Sequence, residues 1–248
     1  MRDLPKSLFR YRSFSAYSLG ELVNQTMWYS SPANFNDPFD CALTIDLRKF
    51  DESIEHAIGV GINRGSINPE LPKSKKLPTE VERQLYLQIR QLLRQSATKL
   101  GLCCFSEDPR SILMWAHYAN DHKGFCVEYP STENTNLSKE VSSVMYSANI
   151  PSLSIADLSP ENSAKTVELL WRTKATCWRY EKEWRALAPE GEKSYPAPAS
   201  IASIIFGERM PENDRQIIRQ ALRGQSQVKF KEAYAHESKF AMRLRRSS

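Results

Sequence analysis

Residues 102–129 constrain this chain more than any other stretch. They open with the apolar run Leu102, Cys103, Cys104, Phe105, break over 106–109, resume with apolar side chains at helical spacing through Ala119, and close with a second apolar run from Gly124 to Tyr129. Short apolar runs bounded by turn formers read as strands, and apolar recurrence every third or fourth residue reads as helix. The stretch therefore predicts strand, short helix, strand. Asp108 ahead of Pro109 predicts where the helix starts, because a carboxylate accepts the orphan amides of a first turn and proline lacks only an N–H that would go unpaired there. Ile112, Trp115, Ala116 and Ala119 fall on one side of it, and Met114, His117 and Tyr118 on another. Packing requires only one apolar face. A second face made of a thioether, an imidazole and a phenol suits either another packing layer or the wall of a pocket.

Both flanks supply more elements of the same kinds. Over 8–13, Phe9 and Tyr11 share one face of a predicted strand while Leu8, Arg10 and Arg12 share the other, so the two arginines point together. Ser18 with Glu21 predicts a capping box for a helix carrying Leu19, Leu22 and Val23, and 27–30 reads as the next strand. The loop over 30–40 is dense in Ser, Asn and Asp and stiffened by Pro32 and Pro38; it is either a self-bonded turn or a loop that binds a ligand. From 47 to 100 the chain turns charged and helical, which predicts a helical insertion. After the central stretch come a strand at 144–147, a helix carrying Val167, Leu170 and Trp171, and a strand at 183–188. That last strand shows Glu183, Arg185 and Leu187 on one face and Trp184, Ala186 and Ala188 on the other. A strand at 201–206, a helix at 211–222 and strands at 228–231 and 240–244 close the chain. Strands and helices do not alternate strictly, so the expected class is α+β: a mixed, largely antiparallel sheet, continuous or split, with flanking helices, in a single domain over 1–248.

Composition narrows the function classes. Lys and Arg exceed Asp and Glu by 34 to 29, too little to demand nucleic acid, although basic residues crowd 172–185 and 243–246. Five cysteines without a C-x-x-C pair imply free thiols in a reducing compartment. The histidines lack metal-ligand spacing, so no metal is expected. With no apolar leader and no membrane-length run, the expected location is the cytoplasm.

Four groups of residues resemble a known family. They are Leu8 to Ser13; Trp28 to Pro32 with Phe35 to Asp40; Cys104 to Ser106 with Met114, Trp115, His117, Tyr118 and His122 to Phe125; and Trp178 with Tyr180 to Arg185. Across about residues 8–206 this set closely resembles the bacterial domain-of-unknown-function family 2971. Some members of that family are associated with phage defence or toxin-like settings. A looser resemblance is to ADP-ribosyltransferases, in the order of parts: an arginine on a first strand, an aromatic followed by hydroxyl residues on the next, an aromatic-rich middle, and a late strand bearing Glu181, Lys182 and Glu183. Those enzymes bind NAD in a split sheet and use the late glutamate to hold the ribose hydroxyl as the bond to nicotinamide breaks.

Carried onto this chain, that resemblance implies NAD as substrate, with Glu183, Glu181 and His117 catalytic and Arg10, Arg12, Tyr29, Ser30, Ser31, Asn36, Trp115 and Tyr118 binding NAD. Arg10 or Arg12 would pair with the pyrophosphate through planar, charge-assisted hydrogen bonds. Ser30 and Ser31 would hold the site together, Tyr29, Trp115 or Tyr118 would stack on the nicotinamide ring, and Glu183 would steady the sugar as it turns cationic. Each residue also has an ordinary reading. Glu181 and Glu183 would be ion pairs of Arg179 or Arg185, His117 a half-buried imidazole bonded to a carbonyl, and the tryptophans core. Two other functions fit the residues: a module without catalysis that binds nucleic acid or protein through its arginines, and a nuclease built on Asp37, Asp40, His117 and Glu181.

Overall fold

The computed structural model describes residues 2–45, 79–154, 157 and 159–247. Most of the expected insertion, 47–78, lies outside the described residues, and its remainder is chiefly the helix Thr79–Lys99. In chain order the strands are β1 (Ser7–Arg12), β2 (Thr26–Tyr29), β3 (Thr44–Ile45), β4 (Gly101–Ser106), β5 (Phe125–Pro130), β6 (Val141–Ser143), β7 (Met145–Ser147), β8 (Ser152–Leu153), β9 (Thr173–Ala175), β10 (Glu183–Ala188), β11 (Lys193–Pro196), β12 (Ser203–Phe206), β13 (Lys229–Ala235) and β14 (Met242–Arg246). Eight of them form one sheet in the order β14-β13-β12-β5-β1-β4-β10-β6. Only β12 and β13 run parallel in it, joined by the helix Glu212–Ala221 as a parallel pair requires. The class is α+β, with a mixed and mostly antiparallel sheet.

The sheet opens in the middle. β1 pairs with β5 along its whole length, from Ser7↔Pro130 to Arg12↔Phe125, yet it meets β4 only at Phe9↔Ser106. At its other end β4 leaves β1 and bonds instead to Ser30, just past β2, through a reciprocal pair of N–H···O bonds between Ser30 and Leu102 at 3.0 and 2.9 Å. Between these two anchor points Arg10 to Arg12 and Leu102 to Phe105 diverge, and the gap becomes a cavity. On the far side the ladder resumes, β4 pairing with β10 from Glu183↔Ser106 to Ala188↔Gly101.

Alternation along the central strands sends side chains to two cores. Phe125, Val127, Ile204 and Phe206 join Leu8, Met27, Phe105 and Trp184 under the helices Ala16–Asn24 and Glu212–Ala221, while Cys126 and Ile205 join Tyr11, Trp115 and Ala119 under the helix Ile112–Tyr118. All five cysteines are free. No helix among the described residues is long and apolar enough to cross a membrane.

Two predicted caps are corrected. The central helix begins at Ile112 with Ser111 as its cap, because Asp108 instead accepts the N–H of Arg110 at 2.9 Å and closes a turn before the helix. Ile112, at the helix start, is consequently 38% exposed, not part of the buried face. The first helix is capped by Ser15, which exchanges hydrogen bonds with Ser18. That leaves Glu21 free to accept from Arg10, Arg12 and the Trp28 N–H.

Candidate functional site

The opening in the sheet is a cavity of about 430 Å³, within the range of small-molecule sites, roughly 300–1,000 Å³. β1 supplies Arg10 and Arg12, the end of β2 supplies Trp28 and Ser30, and the following loop supplies Phe35, Asn36 and Asp40. The central helix contributes Met114, His117 and Tyr118, the face that sequence left open between packing layer and pocket wall. Lys174, Glu181 and Glu183 complete the lining.

One part of the lining is a charge cluster. The Lys174 ammonium on β9 lies 2.5 Å from Glu181, 3.0 Å from Glu183 and 3.5 Å from Asp40. Arg185 on β10 grips Asp40 through both terminal nitrogens at 2.8 and 2.7 Å and reaches Glu183 through Nε at 2.7 Å. Three carboxylates therefore share two cations, where Arg185 is 0% and Glu181 2% exposed. Charges taken out of water cost several kcal/mol each unless they are paired and hydrogen-bonded, and here Glu183 has the better pairing. Burial opposes its ionisation, but Arg185 and then Lys174 outweigh burial and hold its carboxyl below the usual carboxylate range.

Among the described residues no arginine pairs with Glu181. Burial, and then the charge of Glu183, push its carboxyl up to about 7 against the pull of Lys174. Its second oxygen accepts the Tyr118 hydroxyl at 2.7 Å, and burial followed by Glu181 raises that phenol, which keeps its proton and stays a donor. Asn36 donates to the Tyr118 oxygen at 3.4 Å, closing a chain from loop to carboxyl. Lys174 is raised too, Glu183 and Glu181 overcoming burial, so it remains an ammonium and not a nucleophile.

The β1 side has the opposite sign. Arg10 donates to the Trp28 carbonyl at 2.9 Å and to Glu21 at 3.3 Å, and Arg12 reaches the other oxygen of Glu21 at 2.5 Å. Two guanidiniums share one carboxylate, and the buried Nε of Arg12 has no hydrogen-bond partner among the described residues. The cavity thus has a cationic side and an anionic side.

Residues 114–186 match the family model described as "Protein of unknown function (DUF2971)". That DUF2971 match runs from the cavity helix to β10 and carries Met114, His117, Tyr118, Lys174, Glu181 and Glu183, whereas Arg10, Arg12 and the 30–40 loop fall outside it. No curated protein and no solved structure matches the chain, so the likeness to ADP-ribosyltransferases rests on the order of residues alone.

Of the residues implied as a site, Arg10, Arg12, Ser30, Asn36, His117, Tyr118, Glu181 and Glu183 meet in the cavity lining and Tyr29, Ser31 and Trp115 do not. Tyr29 is core, edge-on to Tyr195 at 5.1 Å. Ser31 caps the turn Pro32–Asn34 and donates to the Thr98 carbonyl at 2.8 Å. Trp115 is fully buried, its indole N–H given to the Pro109 carbonyl at 2.9 Å. His117 is exposed and hydrogen-bonds no other described residue, unlike the carbonyl-bonded imidazole of its ordinary reading. Sequence reasoning missed Lys174 as a site residue. Arg185 was visible on the Glu183 face of its strand, but nothing local marks Lys174, which reaches the cluster only through the pairing of β9 with β7.

Proposed function

We propose that the cavity binds an NAD-type dinucleotide and breaks its bond to nicotinamide, passing ADP-ribose to an acceptor or to water. The observation that carries this reading is the division of charge within one cavity of about 430 Å³. Paired guanidiniums with one carboxylate between them suit the pyrophosphate, and the carboxylate cluster suits a sugar that becomes cationic. Trp28 and Tyr118 offer rings for the base or the nicotinamide. Breaking the N-glycosidic bond sends its electron pair away with neutral nicotinamide and leaves positive charge on C1′. The acceptor's lone pair then forms the new bond, and its proton passes to the Glu181 carboxylate.

Glu181 takes the central role because its carboxyl is raised to about 7, so it can gain and lose a proton where Lys174 and the Tyr118 hydroxyl hold its two oxygens at the lining, whereas Arg185 and Lys174 keep Glu183 ionised. Glu183 supplies fixed negative charge. The nuclease reading has less support, since Asp40 is gripped by Arg185 and Asp37 accepts the Trp178 indole N–H at 2.7 Å and the Phe39 N–H at 2.9 Å. A toxin or phage-defence setting and a cytoplasmic location belong to the same proposal, and NAD loss in cells that express the protein would be in keeping with them. The test is nicotinamide release from NAD, followed by chromatography. Wild type should release it and Glu181→Gln should lose the activity by about a hundredfold or more while keeping the wild-type circular dichroism spectrum. Equal release by the two proteins, or none by wild type, overturns the assignment.

A further inference from the structure

The turn Thr176–Glu181, which ends in the cavity glutamate, has two unlike flanks. Toward the cavity mouth the rings of Tyr118, His117, Tyr180 and Trp178 follow one another, with centroids 6.3, 6.4 and 6.0 Å apart. His117 is exposed, Tyr180 and Trp178 are half-buried, and the Tyr180 hydroxyl bonds no other described residue. On the opposite flank Arg179 and Lys182 line a groove of about 570 Å³ that also holds Arg2 and Arg172. Glu107, Glu168 and Asp108 pair with Arg2, Arg172 and Lys182 in turn. Arg179 is exposed and pairs with no acidic group among the described residues. Rings and cations also alternate along the chain here, as Trp178, Arg179, Tyr180 and, past Glu181, Lys182.

We propose that this turn docks a single-stranded nucleic acid, its bases against the ring flank and its phosphates along the Arg179 and Lys182 groove. The inference rests on the cavity reading only in making that strand the ADP-ribose acceptor; docking itself needs no NAD. Stacking on exposed rings tolerates any base, because every base has a π face, and a groove of cations follows the backbone. A duplex hides those faces inside its own stack, so the rings select a single strand. An unneutralised guanidinium on the other flank of the same turn supplies the electrostatic part, which weakens as salt rises.

The test is fluorescence anisotropy of a short labelled oligothymidine, without NAD, at low and moderate salt. Wild type should bind, and more weakly at the higher salt. Tyr180→Ala should weaken binding roughly tenfold, and Arg179→Glu should weaken it while flattening the salt dependence by about one phosphate contact. Both variants should keep the rate of nicotinamide release to water, and Tyr180→Phe, which keeps the ring where it packs against the core, should bind the strand as wild type does. No binding at low salt, equal binding of the same sequence as a duplex, or binding unmoved by both substitutions overturns the proposal. Strand binding by a wild type that leaves NAD intact upholds the docking site and removes the cavity reading; NAD cleavage without strand binding does the reverse and leaves a protein or water as acceptor.

Discussion

Lys174 holds two glutamates that answer to it differently. Glu183 also has Arg185, so it stays ionised; Glu181 has only Lys174 and a phenol, so its proton leaves near pH 7. Nicotinamide release should therefore rise with pH through about 7 as Glu181 becomes a carboxylate. Removing the ammonium with Lys174→Met leaves Glu181 buried beside a like charge, and the midpoint of that rise should move to higher pH. A profile that keeps its midpoint in Lys174→Met would detach the lysine from the titration. The sign for stability is the reverse of the usual carboxylate case. Folding raises the Glu181 affinity for its proton, so its contribution is full below the ordinary carboxylate range and is lost as pH climbs toward about 7. Much of this was legible residue by residue: Glu183 and Arg185 share a strand face by simple alternation. The elevated carboxyl was not, because it depends on a lysine brought in from another strand.

At the scale of elements, the site depends on how the central helix is returned to the sheet. Asn120, Asp121 and His122 all take left-handed backbone (φ 47°, 53° and 67°), and the Gly124 N–H then closes on the Ala119 carbonyl at 2.7 Å. A Cβ on Gly124 would lie 2.1 Å from the Arg12 carbonyl oxygen and 3.0 Å from that of Ala119, both backbone atoms that cannot swing aside. Gly124→Ala should therefore displace β1 at Arg12 and cost about 2 kcal/mol in urea unfolding; an unchanged midpoint would mean that the junction can relax. The strand, helix, strand order of 102–129 was readable from periodicity alone. The helix start was not, since Asp108 and Ser111 are both competent caps and tertiary bonds decide between them: Tyr11 donates to the Asp108 carbonyl at 2.6 Å and the Trp115 indole to the Pro109 carbonyl at 2.9 Å, fixing the turn that precedes the helix. The β14 edge of the main sheet carries Arg243, Arg245 and Arg246, a charged edge of the kind that discourages pairing with another chain.

Across the whole molecule, the first strand lies in the middle of the sheet, between β4 and β5, and its partial separation from β4 creates the cavity. The α+β class could be read from the irregular succession of elements. Strand order could not, because it is set by pairings between segments as distant as Phe9 and Ser106, and no local pattern encodes a ladder that stops after one pair. The same arrangement makes Glu21 a competitor for any anionic ligand, since it occupies both arginines that face the opening. Calorimetric titration of ADP-ribose into wild type, Arg12→Ala and Glu21→Gln tests the cavity as a dinucleotide site without relying on catalysis. Binding should weaken roughly tenfold in Arg12→Ala, the loss of a charged hydrogen bond, and strengthen in Glu21→Gln, where the guanidiniums lose their internal carboxylate. No binding by wild type, or affinities that neither substitution moves, would contradict the account.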